Sequence, residues 1–336
     1  IDFQRKNAKI DRKKYKKMKF SLKSEYSDTN KRIDLFLTEK IPDFSRAKIQ
    51  NFIKNGKLKI NGITVYEPKT KLHGESFIEL ECEKEDSTKL TPENISLNII
   101  FEDKYILVLN KATGMAVHPG AGLSHGTIVN ALIARYDNFL EKFSDNIRPG
   151  IVHRLDMETS GCLLIAKDEK TRQLLSNQFS KHEVHKEYLG ITYGHPKEKI
   201  AVIDTYFGRH PVVRNKMAVL AKSNRKAITE YKVLDEFYLD SIKCALLKIK
   251  IKTGRTHQIR VHMAYIHTPI LGDKIYGGKQ DINIPRQMLH SWKITFSHPY
   301  TKEKLEFECP LPEDMKRILS HSPSFRSSER NLLISD

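Results

Sequence analysis

Apolar positions along the chain follow two periods, and the place where one gives way to the other divides it. Between Ser45 and Gly56 they fall at Ile49, Phe52 and Ile53, a three-and-four spacing that puts them on one helical face. Ser45 reads as the N-cap of that helix and Gly56 as its stop. Ile33, Leu35, Phe36 and Leu37 predict a shorter helix before it. KLKI and FIEL then read as short strands, the first ending in a turn at Asn61-Gly62. Residues 29–83 are thus expected to form a small α+β unit.

On either side the pattern fades. RKNAKIDRKKYKKMK, from Arg5 to Lys19, holds one acidic residue, Asp11. Its apolar surface is too small to offset the entropy of ordering it, so residues 1–28 are expected to be a flexible basic arm. Residues 84–94, polar with a single proline, read as a linker. From 95 to 318 strand-like runs (YILVLN, CLLIAK, EYLGITYG, CALLKIKIK) alternate with helix-like ones (KTRQLLSNQFS, THQIRVHMAYI). CALLKIKIK places lysines at every second position, as in a strand whose sheet is covered on one side. The expected fold class is α+β, a mixed and largely antiparallel central sheet with flanking helices, followed by a disordered tail over 319–336.

Length and composition narrow the function. A chain of 336 residues can bury two cores. Its mean hydropathy is −0.50, and no apolar run approaches the roughly 20 residues of a membrane-spanning helix. No apolar leader opens the sequence, so a cytoplasmic protein without a membrane partner is expected. Cys82, Cys162, Cys244 and Cys309 are far apart and form no C-x-x-C pair, which predicts reduced core thiols and neither a disulfide framework nor a zinc site. Charge carries more information: 58 Lys plus Arg stand against 41 Asp plus Glu, a net +17. Such a surface attracts polyanions, above all nucleic acid. The plainer alternative is basicity spread over solvated faces. Clustering in the arm and around the second helix (Arg46, Lys48, Lys54, Lys57, Lys59) favours the first.

Three suggestive patterns fail. Gly120, Gly122 and Gly126 miss the dinucleotide fingerprint by one residue, and the run does not open a helix directly after a strand. His182 and His185 lack the HExxH spacing of a zincin. Neither a GxSxG nor a Walker sequence occurs. No metal or cofactor is expected.

The stretch GIVHRLDMETSG, Gly150 to Gly161, sets ionisable groups between two apolar runs. If extended, it puts Arg154 and Asp156 on one side and Leu155 on the other, with Thr159, Ser160 and Gly161 as turn formers. Alone it supports little beyond an Asx-turn. In TGRTHQIR, Thr253 to Arg260, a strand ends at a glycine and a helix begins with Thr256 as a plausible N-cap and Ile259, Met263 and Ile266 on its buried stripe. A cation at that junction can pair with a carboxylate or hold a phosphate. In Lys186-Glu187-Tyr188 a tyrosine opens a strand, where aromatics are ordinarily core residues.

Taken together these residues carry a resemblance. KRIDLFL…SRAKIQNFIKNGKLKING resembles the S4 RNA-binding domain over residues 29–83. VLNKATGMAVHPGAG, RPGIVHRLDMETSG, KEYLGITYG, KIKTGRTHQIRVHMAYI…LGDKIYGG and MLHSWKITFSHP, in that order, resemble the RluA family of RNA pseudouridine synthases, and HPGAG with GTIVNALI is most similar to its RluD type. The resemblance implies Asp156 as the catalytic aspartate, Arg255 as the cation paired with it and Tyr188 as the aromatic that stacks on the target uracil. Arg154 would enter the RNA stack when the uridine flips out, and Arg46, Lys48, Lys57 and Lys59 would face RNA phosphates. It also implies ribosomal RNA of the large subunit, or a pre-ribosomal particle, as partner, a monomer, and no cofactor. Alternatives are another rRNA site or a tRNA, and, from a different class, a non-catalytic RNA-binding ribosome assembly factor. Against the last, a pure binder has no need of the Asp156, Tyr188 and Arg255 set. Two departures from the family pattern, Ala112 where a proline is usual and Cys162 where an aliphatic residue is common, touch backbone stiffness and packing.

The chemistry agrees. Pseudouridine formation breaks the N1–C1′ bond, turns the uracil and rejoins it through C5, with no net redox change. A single carboxylate serves either route, attack on C1′ or removal of the C2′ proton. In a desolvated pocket that carboxylate needs a cation beside it.

Overall fold

The computed structural model describes residues 15–41, 44, 46–85, 90–120, 123–144, 148–213, 216–277 and 284–322, in two compact units divided between Lys89 and Leu90.

The N-terminal unit runs β1 (Tyr15–Lys23), α1 (Ile33–Lys40), α2 (Arg46–Lys54), β2 (Leu58–Ile60), β3 (Ile63–Val65) and β4 (Phe77–Glu85), with an antiparallel sheet in the order β1-β4-β2-β3. The two helices, β2 with the turn after it, and β4 fall where the pattern placed them, and β3 is an additional strand that closes the hairpin with β2. Asn61 (φ 49°) and Gly62 (φ 81°) are both left-handed, as a two-residue hairpin turn requires. The proposed Ser45 cap lies outside the described residues. Ile33, Phe36, Leu37, Ile49, Ile53, Leu58, Ile78 and Leu80 make the core.

One expectation needs correction. The basic arm does not extend to residue 28, because Tyr15–Lys23 is a strand paired antiparallel along the whole of β4, from Tyr15 opposite Glu85 to Lys23 opposite Phe77. Met18, Phe20 and Leu22 alternate with charged or polar residues and pack against the core. The lysines between them conceal that alternation, and the partner strand lies about sixty residues further along the chain. The rest of the arm, residues 1–14, lies outside the described residues.

The larger unit contains β5 (Ile99–Glu102), β6 (Ile106–Lys111), α3 (Ile128–Arg135), β7 (Ser160–Ala166), α4 (Glu169–Ser180), β8 (His185–Tyr193), β9 (Ile200–Arg209), β10 (Met217–Leu220), β11 (Lys226–Leu239), β12 (Ile242–Ile251), α5 (Gln258–Tyr265), β13 (Leu289–Ser297), β14 (Lys304–Glu308) and α6 (Glu313–Leu319). Its strands form a ten-stranded sheet in the order β10-β9-β11-β12-β8-β13-β7-β6-β5, with β14 also on β13. Every pairing is antiparallel except β13 with β7. The fold class is therefore the α+β, mixed and largely antiparallel arrangement expected.

Both faces of the central strands are covered. Leu107, Leu109, Leu163, Ile165, Leu247 and Ile249 join Ile259 and Met263 of α5 on one face. Leu189, Ile191, Leu246 and Trp292 join Met315 of α6 on the other. This corrects the one-sided reading of CALLKIKIK: Cys244 through Ile249, Lys248 included, are buried on both faces, and β12 turns lysines to solvent only near its two ends, at Lys243 and Lys250. The four cysteines are buried and none is in a disulfide. Cys162 Sγ lies 3.0 Å from Cys309 Sγ, and it donates to the Trp292 carbonyl at 3.2 Å.

The one parallel junction positions the site. His290 and Ser291 of β13 face Ser160 and Gly161 of β7. Gly161 has φ 107°, and a Cβ there would stand 2.1 Å from the Ser291 carbonyl oxygen. Only glycine lets the strands approach so closely. On its other side Ser291 pairs with Tyr188 of β8. The loop ending at Ser160 and the tyrosine on β8 are brought together by this three-strand contact.

Candidate active site

The residues of GIVHRLDMETSG form the loop entering β7. Leu155 is buried in the core below and fixes the backbone, leaving Arg154 exposed and Asp156 at the wall of a cavity of about 520 Å³. Arg154, Asp156, Tyr188, Arg255 and Arg260 all line this cavity, so the sequence-derived site residues of the larger unit do converge.

Their pairing differs from expectation in one respect. Asp156 Oδ2 accepts from Nη1 of Arg260 at 2.9 Å, whereas Arg255 donates through Nε to the Lys226 carbonyl at 3.1 Å and is exposed. The cause is where the helix starts. The chain turns through His257 in a left-handed conformation (φ 57°), and α5 begins at Gln258 without a side-chain cap, so Thr256 is not its N-cap. Gln258 ties that turn down: its buried Oε1 accepts from Thr253 Oγ1 at 2.7 Å and from the Arg255 N–H at 3.1 Å, while Nε2 donates to the Ile228 carbonyl at 2.9 Å. Arg255 is left before the helix and Arg260 on its inward face.

Arg260 is held by a second carboxylate. Its Nε and Nη2 donate to Asp273 at 2.7 and 2.9 Å, a two-bond fork. Asp273 is fully buried and also accepts from the N–H groups of Ile275 and Tyr276. It follows Gly272, whose φ of 76° and close approach to the Arg286 carbonyl admit no side chain. Burial works against both charges. On Arg260 the bonds to Asp273, and then the charge of Asp156, outweigh it and raise the pKa; on Asp273 the guanidinium and the backbone N–H groups outweigh it and lower the pKa. The guanidinium enters the Asp156 pair already oriented.

His257 and Tyr276 complete this wall. The Tyr276 hydroxyl accepts from the Met217 N–H at 2.9 Å and is hydrogen-bonded to His257 Nδ1 at 2.8 Å. The other ring nitrogen, Nε2, lies 3.8 Å from Asp156 Oδ2. Burial lowers the His257 pKa and keeps the ring neutral.

The loop itself is braced from below. Lys111, 1% exposed, donates to the carbonyls of Ala112, Met115 and Met157 at 2.7, 2.9 and 3.0 Å, using all three donors of an ammonium. Burial and then Arg286 push its pKa down to about 7. Since residue 112 contributes only a carbonyl, alanine serves there as proline would. Arg286 forks onto Asp314 of α6 and donates to the Glu158 carbonyl at 3.1 Å, and Gln287 Nε2 donates to Thr159 Oγ1 at 2.7 Å. Opposite, Tyr188 is 5% exposed. Burial raises the pKa of its hydroxyl above the ordinary value, so the ring offers a neutral apolar face beside the carboxylate.

The N-terminal candidates divide. Arg46 is committed to a buried carboxylate: Asp34 accepts from Arg46 at 3.0 Å and also from Arg32 and Gln50. Burial raises the Asp34 pKa, but those three bonds outweigh it and the net shift is downward. Lys48 lies over the Phe44 ring at 5.3 Å, and Lys57 and Lys59 are exposed.

Comparison with known proteins decides the class. A family profile described as RNA pseudouridylate synthase matches residues 105–265. The ribosomal large subunit pseudouridine synthase D of Pasteurella multocida is 37% identical over 312 residues, 89% of this chain and 93% of that protein. The chain belongs to the RluA family of RNA pseudouridine synthases. An uncharacterised RNA pseudouridine synthase of Aquifex aeolicus is 40% identical over 305 residues, covering 87% and 95% of the two chains. Human RNA pseudouridylate synthase domain containing 1 shares the fold, with a TM-score of 0.56 at 23% identity over 72% of this chain and 97% of that one. As a member of this family the protein is an isomerase. His257, Arg260, Asp273 and Tyr276 lie inside the family motifs, but the motifs alone give them no role. The available signal was an aspartate directly after the apolar run PIL and a glycine, a setting where a buried carboxylate needs a partner.

Proposed function

We propose that the protein converts uridine to pseudouridine in large-subunit ribosomal RNA, at the hairpin that reaches the subunit interface. The observation that carries this reading is the Asp156–Arg260 pair at the wall of a cavity that Tyr188 also lines, in a chain whose similar proteins include one named for the large ribosomal subunit.

Asp156 is the catalytic carboxylate, and Arg260 holds it in place. The flipped uracil stacks on Tyr188, worth roughly 1 to 3 kcal/mol for a base on an aromatic ring. Extrusion costs about a few kcal/mol, and Arg154, exposed at the cavity with no partner among the described residues, fills the vacated place in the stack. Lys48, Lys57 and Lys59 add phosphate contacts from the S4-like unit. The protein works as a cytoplasmic monomer on free rRNA or an assembling particle.

Mapping carbodiimide-reactive pseudouridines in a strain lacking the gene tests this. The expected result is loss of one or more sites in the interface hairpin, restored by the wild-type gene and not by Asp156→Asn. Loss in a transfer RNA instead would replace the substrate, and no loss anywhere would refute the reading.

A further inference from the structure

The cations lining the cavity are not equivalent. Arg260 faces two carboxylates, Lys252 pairs with Glu230 at 2.5 Å, and Arg255 is bound to a backbone carbonyl. Lys186 has no hydrogen-bond or ion-pair partner among the described residues, although it is half-buried in the cavity wall. Its ammonium lies over the Phe179 ring at 5.3 Å, beside Gly254; a Cβ at that glycine would stand 3.5 Å from Nζ. A cation over a ring gains about 0.5 to 2 kcal/mol, short of what a buried ammonium gives up in leaving water. Burial accordingly pulls its pKa down to about 8. Asp156, already committed to Arg260, is the one carboxylate among the cavity-lining residues described.

Position says what is missing. Lys186 and Tyr188 stand two apart on β8 and so face the same side, about 6 to 7 Å from one another along the strand. A nucleotide whose base lies on Tyr188 brings its own phosphates along the same wall. A lysine suits a phosphate as a compact point charge.

We propose that Lys186 binds a backbone phosphate flanking the nucleotide that enters the cavity. The inference rests on the function proposed above. The phosphate is bound alike in the ground state and during reaction, so its loss should raise KM and leave kcat nearly unchanged.

The test uses the full chain, an in vitro transcript of large-subunit rRNA and a potassium chloride series. Lys186→Gln should raise KM about tenfold and lower the salt slope of RNA binding by about one, the contribution of one phosphate contact. Lys186→Met, which keeps the apolar stem against Phe179, should do the same at an unchanged thermal midpoint, and Lys186→Arg should retain the wild-type slope. If Gln and Met variants keep both KM and slope, the assignment is wrong. Failure of the wild type to form pseudouridine in this transcript would sink the substrate reading and this inference with it. A modified transcript with unaltered variants would sink the Lys186 assignment alone.

Discussion

The two units carry positive charge in opposite ways. In the N-terminal unit lysines stand at the surface, some beside acidic neighbours across a strand, as Lys19 does beside Glu79 at 2.5 Å with Lys59 opposite the same glutamate. In the larger unit the decisive cations are buried: Arg260 is 5% exposed between Asp156 and Asp273, and Arg286 is 3% exposed between Asp314 and the Glu158 carbonyl. A surface cation is screened by salt, interchangeable with its neighbours and worth little singly. A buried one is fixed in geometry, and taking away its partner leaves an uncompensated charge. The first arrangement suits affinity for a polyanion, the second the placement of one carboxylate.

The sharpest way to break this contrast is to take the charge from Asp156 without changing its shape. Asp156→Asn should lower pseudouridine formation by at least roughly a thousandfold while RNA affinity stays within several-fold, because the reacting group is lost and the phosphate contacts are not. Tritium release from uridine-labelled rRNA and filter binding read the two quantities. Turnover near the wild-type level would remove Asp156 from the chemistry.

Next come the two arginines. Arg260→Met leaves Asp273 buried without its fork, at a cost of about 3 to 5 kcal/mol, so the thermal midpoint should fall by roughly 10 °C and activity with it. Arg255→Met should move the midpoint by less than about 2 °C, as for an exposed side chain with one carbonyl contact. Equal falls would mean that Arg255 holds the site together as much as Arg260 does. Gly161→Ala tests the strand junction. A methyl group 2.1 Å from the Ser291 oxygen, at φ 107°, must push β7 from β13; a loss of about 2 kcal/mol or more is expected, read by chemical denaturation.

The Arg255 and Arg260 pair also shows what was legible in the sequence. Motif order placed Asp156, Tyr188 and an arginine in one cavity, since β7, β8 and the β12–α5 connection follow from hydrophobic periods that are local and strong. Which arginine meets the aspartate depends on where the helix starts, set by the left-handed His257 and by Gln258 reaching β11. Neither is a local property of TGRTHQIR. The strand at Tyr15–Lys23 escaped for a related reason: its partner is remote, and lysines dilute its alternation. Conversely, the Asn61-Gly62 turn was readable because positive φ at two successive residues is a requirement that few dipeptides meet.

The smallest effects belong to the surface lysines, and they sharpen the comparison most. Replacing Lys48, Lys57 and Lys59 together with glutamine should lower the salt slope of RNA binding by up to about two and leave kcat and the thermal midpoint nearly unchanged, each lysine acting as a screened phosphate contact. Arg46→Gln should behave differently although it lies on the same helix as Lys48. Its guanidinium serves Asp34, whose carboxylate is fully buried and which also gathers Arg32 and Gln50, so the loss should appear in the thermal midpoint more than in the salt slope. If Arg46→Gln instead matches the lysines, lowering the slope at constant stability, then Arg46 faces RNA despite its carboxylate, and the division between positioning and attracting cations does not hold within the N-terminal unit.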